Sequence, residues 1–132
     1  MAISPTNLAA LVAKGYLSLQ SGRFEEAIPP LTKALALETN NYTVQYAAML
    51  DRAIAYLQAN RLDEAQKDYE TLLRQNPGSY RLYYGLGEIA WRKHDTNSAV
   101  HYYELYLTNS VYGSEEARTV GERLASLKSQ SP

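Results

Sequence analysis

Apolar and small residues return at three- and four-residue intervals along nearly the whole chain, the spacing of one face of a helix. Seven helices follow from this pattern, at 5–20, 24–38, 41–58, 62–75, 79–93, 97–109 and 114–128. Ser4 suits the cap of the first helix, and Pro5 its first position, where a missing N–H costs nothing. Asn76-Pro77-Gly78-Ser79 stops the fourth helix and caps the fifth. Ser114, followed by Glu115 and Glu116, opens the last with acidic groups near its positive end. In that helix Ala117, Val120, Leu124 and Leu127 form one apolar stripe, while Arg118, Glu122, Arg123 and Lys128 lie mainly on the other faces. Such a helix covers one end of a stack and turns its back to water.

The pattern also repeats. Gly22-Arg23-Phe24-Glu25-Glu26-Ala27, Asn60-Arg61-Leu62-Asp63-Glu64-Ala65 and His94-Asp95-Thr96-Asn97-Ser98-Ala99 are versions of one turn and helix start, offset by 38 and 34 residues. A period near 34 is that of stacked helical hairpins. Ala27, Ala65 and Ala99 fall where the two helices of a hairpin cross. Gly15, Ala53 and Gly87, each 12 residues earlier, fall on the partner helix. A leucine there would push the pair apart, at about 1–3 kcal/mol of overpacking. Gly22, Asn60 and His94 share one turn position that calls for positive φ, which makes His94 a turn residue and not a ligand.

The first interval carries four extra residues around Tyr42-Thr43-Val44-Gln45, close to one helical turn. They lengthen the third helix without rotating its buried face and predict a protruding start. Pro29-Pro30 falls near the first turn of the second helix and should bend it.

Composition removes several function classes. The net charge is −1, from 13 basic and 14 acidic residues, without the basic footprint of a duplex nucleic-acid binder. There is no cysteine, hence no disulfide and no thiolate zinc site. His94 and His101 lack a third ligand, so no metal is expected. No nucleophile motif or phosphate-binding glycine loop occurs, so neither catalysis nor a cofactor is expected. The start of the chain lacks a basic leader, and Leu8–Ala13 is too short an apolar run to span a bilayer. A soluble, cytoplasmic, single-domain protein is the expectation over 1–132. Twelve tyrosines are unusual at this length, and seven of them fall between Tyr80 and Tyr112.

These residues resemble tetratricopeptide repeats, over 8–41, 46–79 and 80–113 with a capping helix at 114–128. The first unit keeps Gly15, Gly22, Phe24, Ala27, Ala34 and Leu35. The second keeps Ala53, Tyr56, Leu62, Ala65, Tyr69 and Pro77, and the third Leu86, Gly87, Ala99, Tyr103 and Leu107. Thr39 and Val111 at the usual proline, and Thr96 at the usual aromatic, depart from the family pattern.

The resemblance implies an all-α, right-handed solenoid of three hairpins plus a cap. Its concave groove would be lined by the first helix of each repeat. Mapped here, the groove carries Val12, Tyr16 and Leu19 from the first repeat and Leu50, Ile54 and Leu57 from the second. The third gives Arg81, Tyr84, Glu88 and Arg92. Two repeats are thus apolar and the third offers charge and a tyrosine. This fits a protein or peptide segment with an apolar body and an acidic end, or a second copy of the chain. Tyr102, Tyr106 and Tyr112 mark a second candidate surface.

The leading expectation is a non-enzymatic adaptor. Alternatives are a kinesin-light-chain-like accessory that decorates a tubulin-like filament or links it to membrane, and a secretion-type chaperone for an apolar client. Co-chaperone repeats that hold acidic heat-shock-protein C-termini use a lysine and asparagine clamp. The matching positions here are Val12, Tyr16, Asp51, Arg81 and Gly85, which argues against that ligand.

Overall fold

A computed structural model describes residues 7–37, 40–110 and 113–130. Among them run seven helices: α1 (Leu8–Gln20), α2 (Phe24–Ala36), α3 (Tyr42–Gln58), α4 (Leu62–Gln75), α5 (Tyr80–Arg92), α6 (Thr96–Asn109) and α7 (Glu115–Ser129). They match the seven expected from the pattern to within two residues, except at the first start. The expected Ser4 cap and Pro5 lie outside the described residues. Asn7 caps α1 instead, its side chain accepting the Ala10 N–H at 2.9 Å. Asn41, Asp95 and Ser114 cap α3, α6 and α7 in the same way. Ser79 precedes α5 as expected, yet its side chain makes no cap bond.

The turns inside the hairpins share one geometry. Gly22, Asn60 and His94 have φ of 75°, 61° and 60°. The following N–H of Arg23, Arg61 and Asp95 donates back to the carbonyls of Ser18, Tyr56 and Ala90 at 2.9, 2.8 and 2.9 Å. The N–H of Gly22, Asn60 and His94 donates to Leu19, Leu57 and Trp91 at 3.1, 3.0 and 3.1 Å. Together these are the paired bonds of a left-handed helix C-terminus, which satisfy carbonyls the helix leaves open. The chain then reverses directly into α2, α4 or α6.

Two compact units divide the chain between Asp68 and Tyr69, a boundary that falls within α4. In the first, α1 packs on α2, and α3 packs on both. Its core holds Ala27, Ile28, Leu31, Ala34, Ala48, Ala53 and Ala55. A Cβ on Gly15 would collide with the buried Leu31 side chain. Close crossing is therefore the reason for glycine there. α3 has 17 residues where α1 and α2 have 13, so the extra turn lengthens the helix as expected, and it begins at exposed Tyr42. Pro29 and Pro30 sit in the second turn of α2, which continues through them to Ala36. The carbonyls they leave without an N–H belong to Glu25 and Glu26, whose residues are exposed to solvent.

In the second unit α5 packs on α6 and α6 on α7. Tyr103, Tyr106, Val120, Leu124 and Leu127 form a core with Ala90 and Ala99. Tyr69 fills the space beside Gly85 and Tyr103 that beside Gly87, so a Cβ at either glycine would meet a ring. The apolar stripe of α7 is buried as expected. Arg123 is not on its outer face. It donates to the Glu88 carboxylate, and its guanidinium lies 4.1 Å over the Trp91 ring.

Candidate interaction surfaces

On the first unit, the face expected to meet a partner comes from α1 and α3. Tyr16 on α1 is 50% exposed. Val12 and Leu19 beside it, and Leu50 and Ile54 on α3, are half-buried. Leu57 does not belong to this face: it is 3% exposed. It lies one helical turn beyond Ala53, on the stripe of α3 that turns inward, and its apolar side chain goes to the core. Asp51 follows Leu50, half-buried, and burial pushes its carboxyl above the usual carboxylate range. Arg52, one residue on, faces another way. It donates to both Asp68 carboxylate oxygens, at 2.8 and 2.7 Å, and to the Thr32 hydroxyl at 3.3 Å. An ion pair held in two bonds and largely removed from water orients α3 against α4 within this unit.

On the second unit the expected residues separate. Arg81 is exposed, and Tyr84 and Arg92 are half-buried. Tyr84 packs its ring 5.7 Å from Tyr106, and burial raises its phenol. Glu88 is not available to a partner, being 4% exposed. Its carboxylate takes the Tyr103 hydroxyl at 2.6 Å and the Arg123 guanidinium, so its charge is compensated within the fold. The family resemblance maps Glu88 to the groove, and nothing in the spacing reports that Arg123, 35 residues on, pairs with it in the fold.

The tyrosine surface is also reduced. Tyr106 is 1% exposed and lies under α7, where its hydroxyl donates to Glu116 at 2.7 Å. Burial, with that hydrogen bond behind it, pushes the phenol up to about 12. Tyr106 is core, not contact surface. Tyr112 lies outside the described residues. Tyr102 is half-buried beside His101, ring centroids 5.3 Å apart. Tyr83 is half-buried with its hydroxyl donating to the Pro77 carbonyl at 2.9 Å.

Two exposed large apolar side chains were not singled out by the sequence pattern, Trp91, which lies under the Arg123 guanidinium, and Leu17. Leu17, on α1, is 62% exposed. The signal was available: Leu17 is in register with Ala55, buried on α3, and a leucine in place of that alanine marks a face with room in front of it.

Among the described residues no helix is long and apolar enough to cross a membrane. Models of the tetratricopeptide repeat family match residues 18–67 and 50–112, together most of the chain. A curated relative, the tetratricopeptide repeat and J domain-containing co-chaperone of Cryptococcus neoformans, is 30% identical over 118 residues, 86% of this chain. The chain spans 22% of that protein's length and 14% of the DnaJ homologues it also matches. Two solved folds are similar. The second repeat domain of human RPAP3, in complex with the HSP70 peptide SGPTIEEVD, superposes with a TM-score of 0.71 at 21% identity, covering 92% of this chain and 98% of that one. PcrH, in complex with the chaperone binding region of PopB, gives 0.71 at 13% identity, covering 96% and 98%. Both family matches fall on the repeats read from the sequence, and the all-helical fold is that of solved repeat domains of the α-solenoid class, so this chain belongs to the tetratricopeptide repeat family.

Proposed function

We propose that the chain is a non-enzymatic interaction module that holds an apolar segment of a partner protein on the α1 and α3 face of its first unit. The observation that carries this reading is the exposure of Val12, Tyr16 and Leu19 on α1 and of Leu50 and Ile54 on α3, two helices that pack on each other. These apolar side chains keep part of their surface in water, although the same unit has a core to hold them. Burying such side chains completely is worth roughly 1.5–3 kcal/mol each. Three or four of them support micromolar affinity, about −8 kcal/mol, once association costs are met. Folds of this class that hold segments of other proteins, such as the RPAP3 domain and PcrH, add support. A chaperone for an apolar client is the second reading, favoured by the likeness to PcrH with its bound chaperone binding region.

Site-specific photocrosslinking tests the site. A benzophenone amino acid at Tyr16 is expected to capture a discrete partner on irradiation in the native host, whereas the same group at exposed Glu26 on α2 captures none. Equal capture at both positions, or capture at Tyr102 alone, would move the site away from this face.

A further inference from the structure

The second side of α1 carries an open recess of about 360 Å³, lined by Ala10, Ala13, Lys14, Leu17, Ser18 and Arg23. The internal repeat shows what such a face is built to receive. Ala10, Lys14, Leu17 and Ser21 stand 38 residues before Ala48, Arg52, Ala55 and Ala59, one stripe of α3 at the same helical spacing. On α3, which packs on α2, Ala48 and Ala55 of this stripe are buried, and Arg52 reaches Thr32 of α2 while its two shorter bonds go to Asp68 on α4. Arg61, the counterpart of Arg23, crosses to α2 as well and binds Glu25 at 3.0 Å. The α3 face is therefore completed by a helix with an apolar stripe and an acidic first turn. On α1 the same arrangement of small side chains, an exposed leucine and two cations is open among the described residues. Among the described residues Arg23 pairs with Glu26 at 3.8 Å, with both side chains in solvent.

We infer that this face docks an amphipathic helix of another protein with the chemistry of α2, an apolar stripe preceded by acidic residues that engage Arg23. A second copy of the chain fits less well. Two such faces brought together would set Lys14 and Arg23 against their own counterparts, and α2 of a copy already buries its Ala27, Ile28, Leu31 and Ala34. The face is distinct from the one proposed above, since Leu17 projects from another side of α1 than Tyr16 and Val12, about 100° further round per residue.

The test uses the full chain and a labelled synthetic peptide of residues 22–37, with Pro29→Ala and Pro30→Ala to favour the helix, read by fluorescence anisotropy. Saturable binding is expected. Leu17→Glu, at an exposed position, should weaken it by about tenfold or more, and Arg23→Glu should weaken it too. A peptide with Glu25→Lys should bind several-fold less tightly, while Leu50→Glu leaves binding unchanged and so separates this face from the other. Circular dichroism checks that each variant is folded. Absence of saturable binding, binding indifferent to Leu17→Glu, or binding that appears only once residues 1–6 are removed would overturn the inference. So would a dimer in sedimentation that Leu17→Glu dissolves, because the face would then belong to a second copy.

Discussion

His94 stands in left-handed backbone at φ 60°, a conformation that glycine takes freely and most side chains avoid. Its equivalents Gly22 and Asn60 explain the choice better than any ligand does, because all three turns make the same pair of backbone bonds. His94→Gly is therefore expected to keep or raise stability, and His94→Val to lose about 1–2 kcal/mol, as read from urea denaturation. Gly87 is set by contact. A Cβ there would lie 2.6 Å from Tyr103 Cδ1, on a ring that is fully buried and held through its hydroxyl. Overpacking of about 1–3 kcal/mol outweighs the roughly 1 kcal/mol an alanine adds in helix propensity, so Gly87→Ala should destabilise. Asp51 differs in kind. Burial raises its carboxyl, so the folded chain holds that proton more tightly than the unfolded chain does. Its ionisation thus removes stability as pH rises through the range just above the ordinary value of 3.8. Asp51→Asn should raise the melting temperature at neutral pH and flatten the profile in that range. The turn residues and crossing glycines were legible in the sequence because each repeats at fixed spacing. Glu88 and Arg123 were not, because a buried charge becomes tolerable only when a distant residue pairs with it, and spacing does not report that pairing.

Among elements, α7 illustrates both what periodicity reveals and what it misses. Its stripe of Val120, Leu124 and Leu127 foretold burial, and burial is found. α7 is also tied to α5 through Arg123, which the stripe placed on an outer face. Arg123→Ala would leave the Glu88 carboxylate buried with the Tyr103 hydroxyl as its remaining partner. Breaking such a pair from one side costs about 3–5 kcal/mol. Hydrogen exchange along α7 should accelerate in this variant more than along α2. Equal protection in both proteins would mean that the apolar stripe alone holds the helix. The start of α6 offers a pH test of opposite sign to Asp51. The Asp95 carboxylate accepts hydrogen bonds from the Ser98 hydroxyl and backbone N–H, which lower its pKa below 3.8. A lowered value means that the unfolded chain takes the proton first. The contribution is complete above the unfolded value and fades as pH falls through the folded one. Asp95→Asn keeps a cap and should remove this part of the acid limb in thermal melts. The extra turn of α3 was legible because four residues nearly complete one turn of helix. The true start of α1 was not, because Ser4 and Asn7 are both competent caps and nothing local ranks them.

For the molecule as a whole, fold class followed from the repeat, and the proposed function rests on which apolar side chains the repeat leaves in water. That Val12, Tyr16, Leu19, Leu50 and Ile54 keep surface in water fits the side that family geometry assigns them. Leu57 and Tyr106 could not be separated from them, since an apolar residue satisfies a core and a binding face equally well. The half-buried Asp51 beside Leu50 also bears on which partner that face accepts. An acidic peptide of the SGPTIEEVD type should not bind the α1 and α3 face measurably in an anisotropy titration, because Asp51 repels its carboxylates. The most direct test of the account is a comparative pull-down from the native host with wild type and Leu50→Glu/Ile54→Glu, both shown to be folded by circular dichroism. Proteins retained by wild type and lost from the double variant are the predicted result. The same proteins on both baits would contradict the claim that the α1 and α3 face is the functional surface.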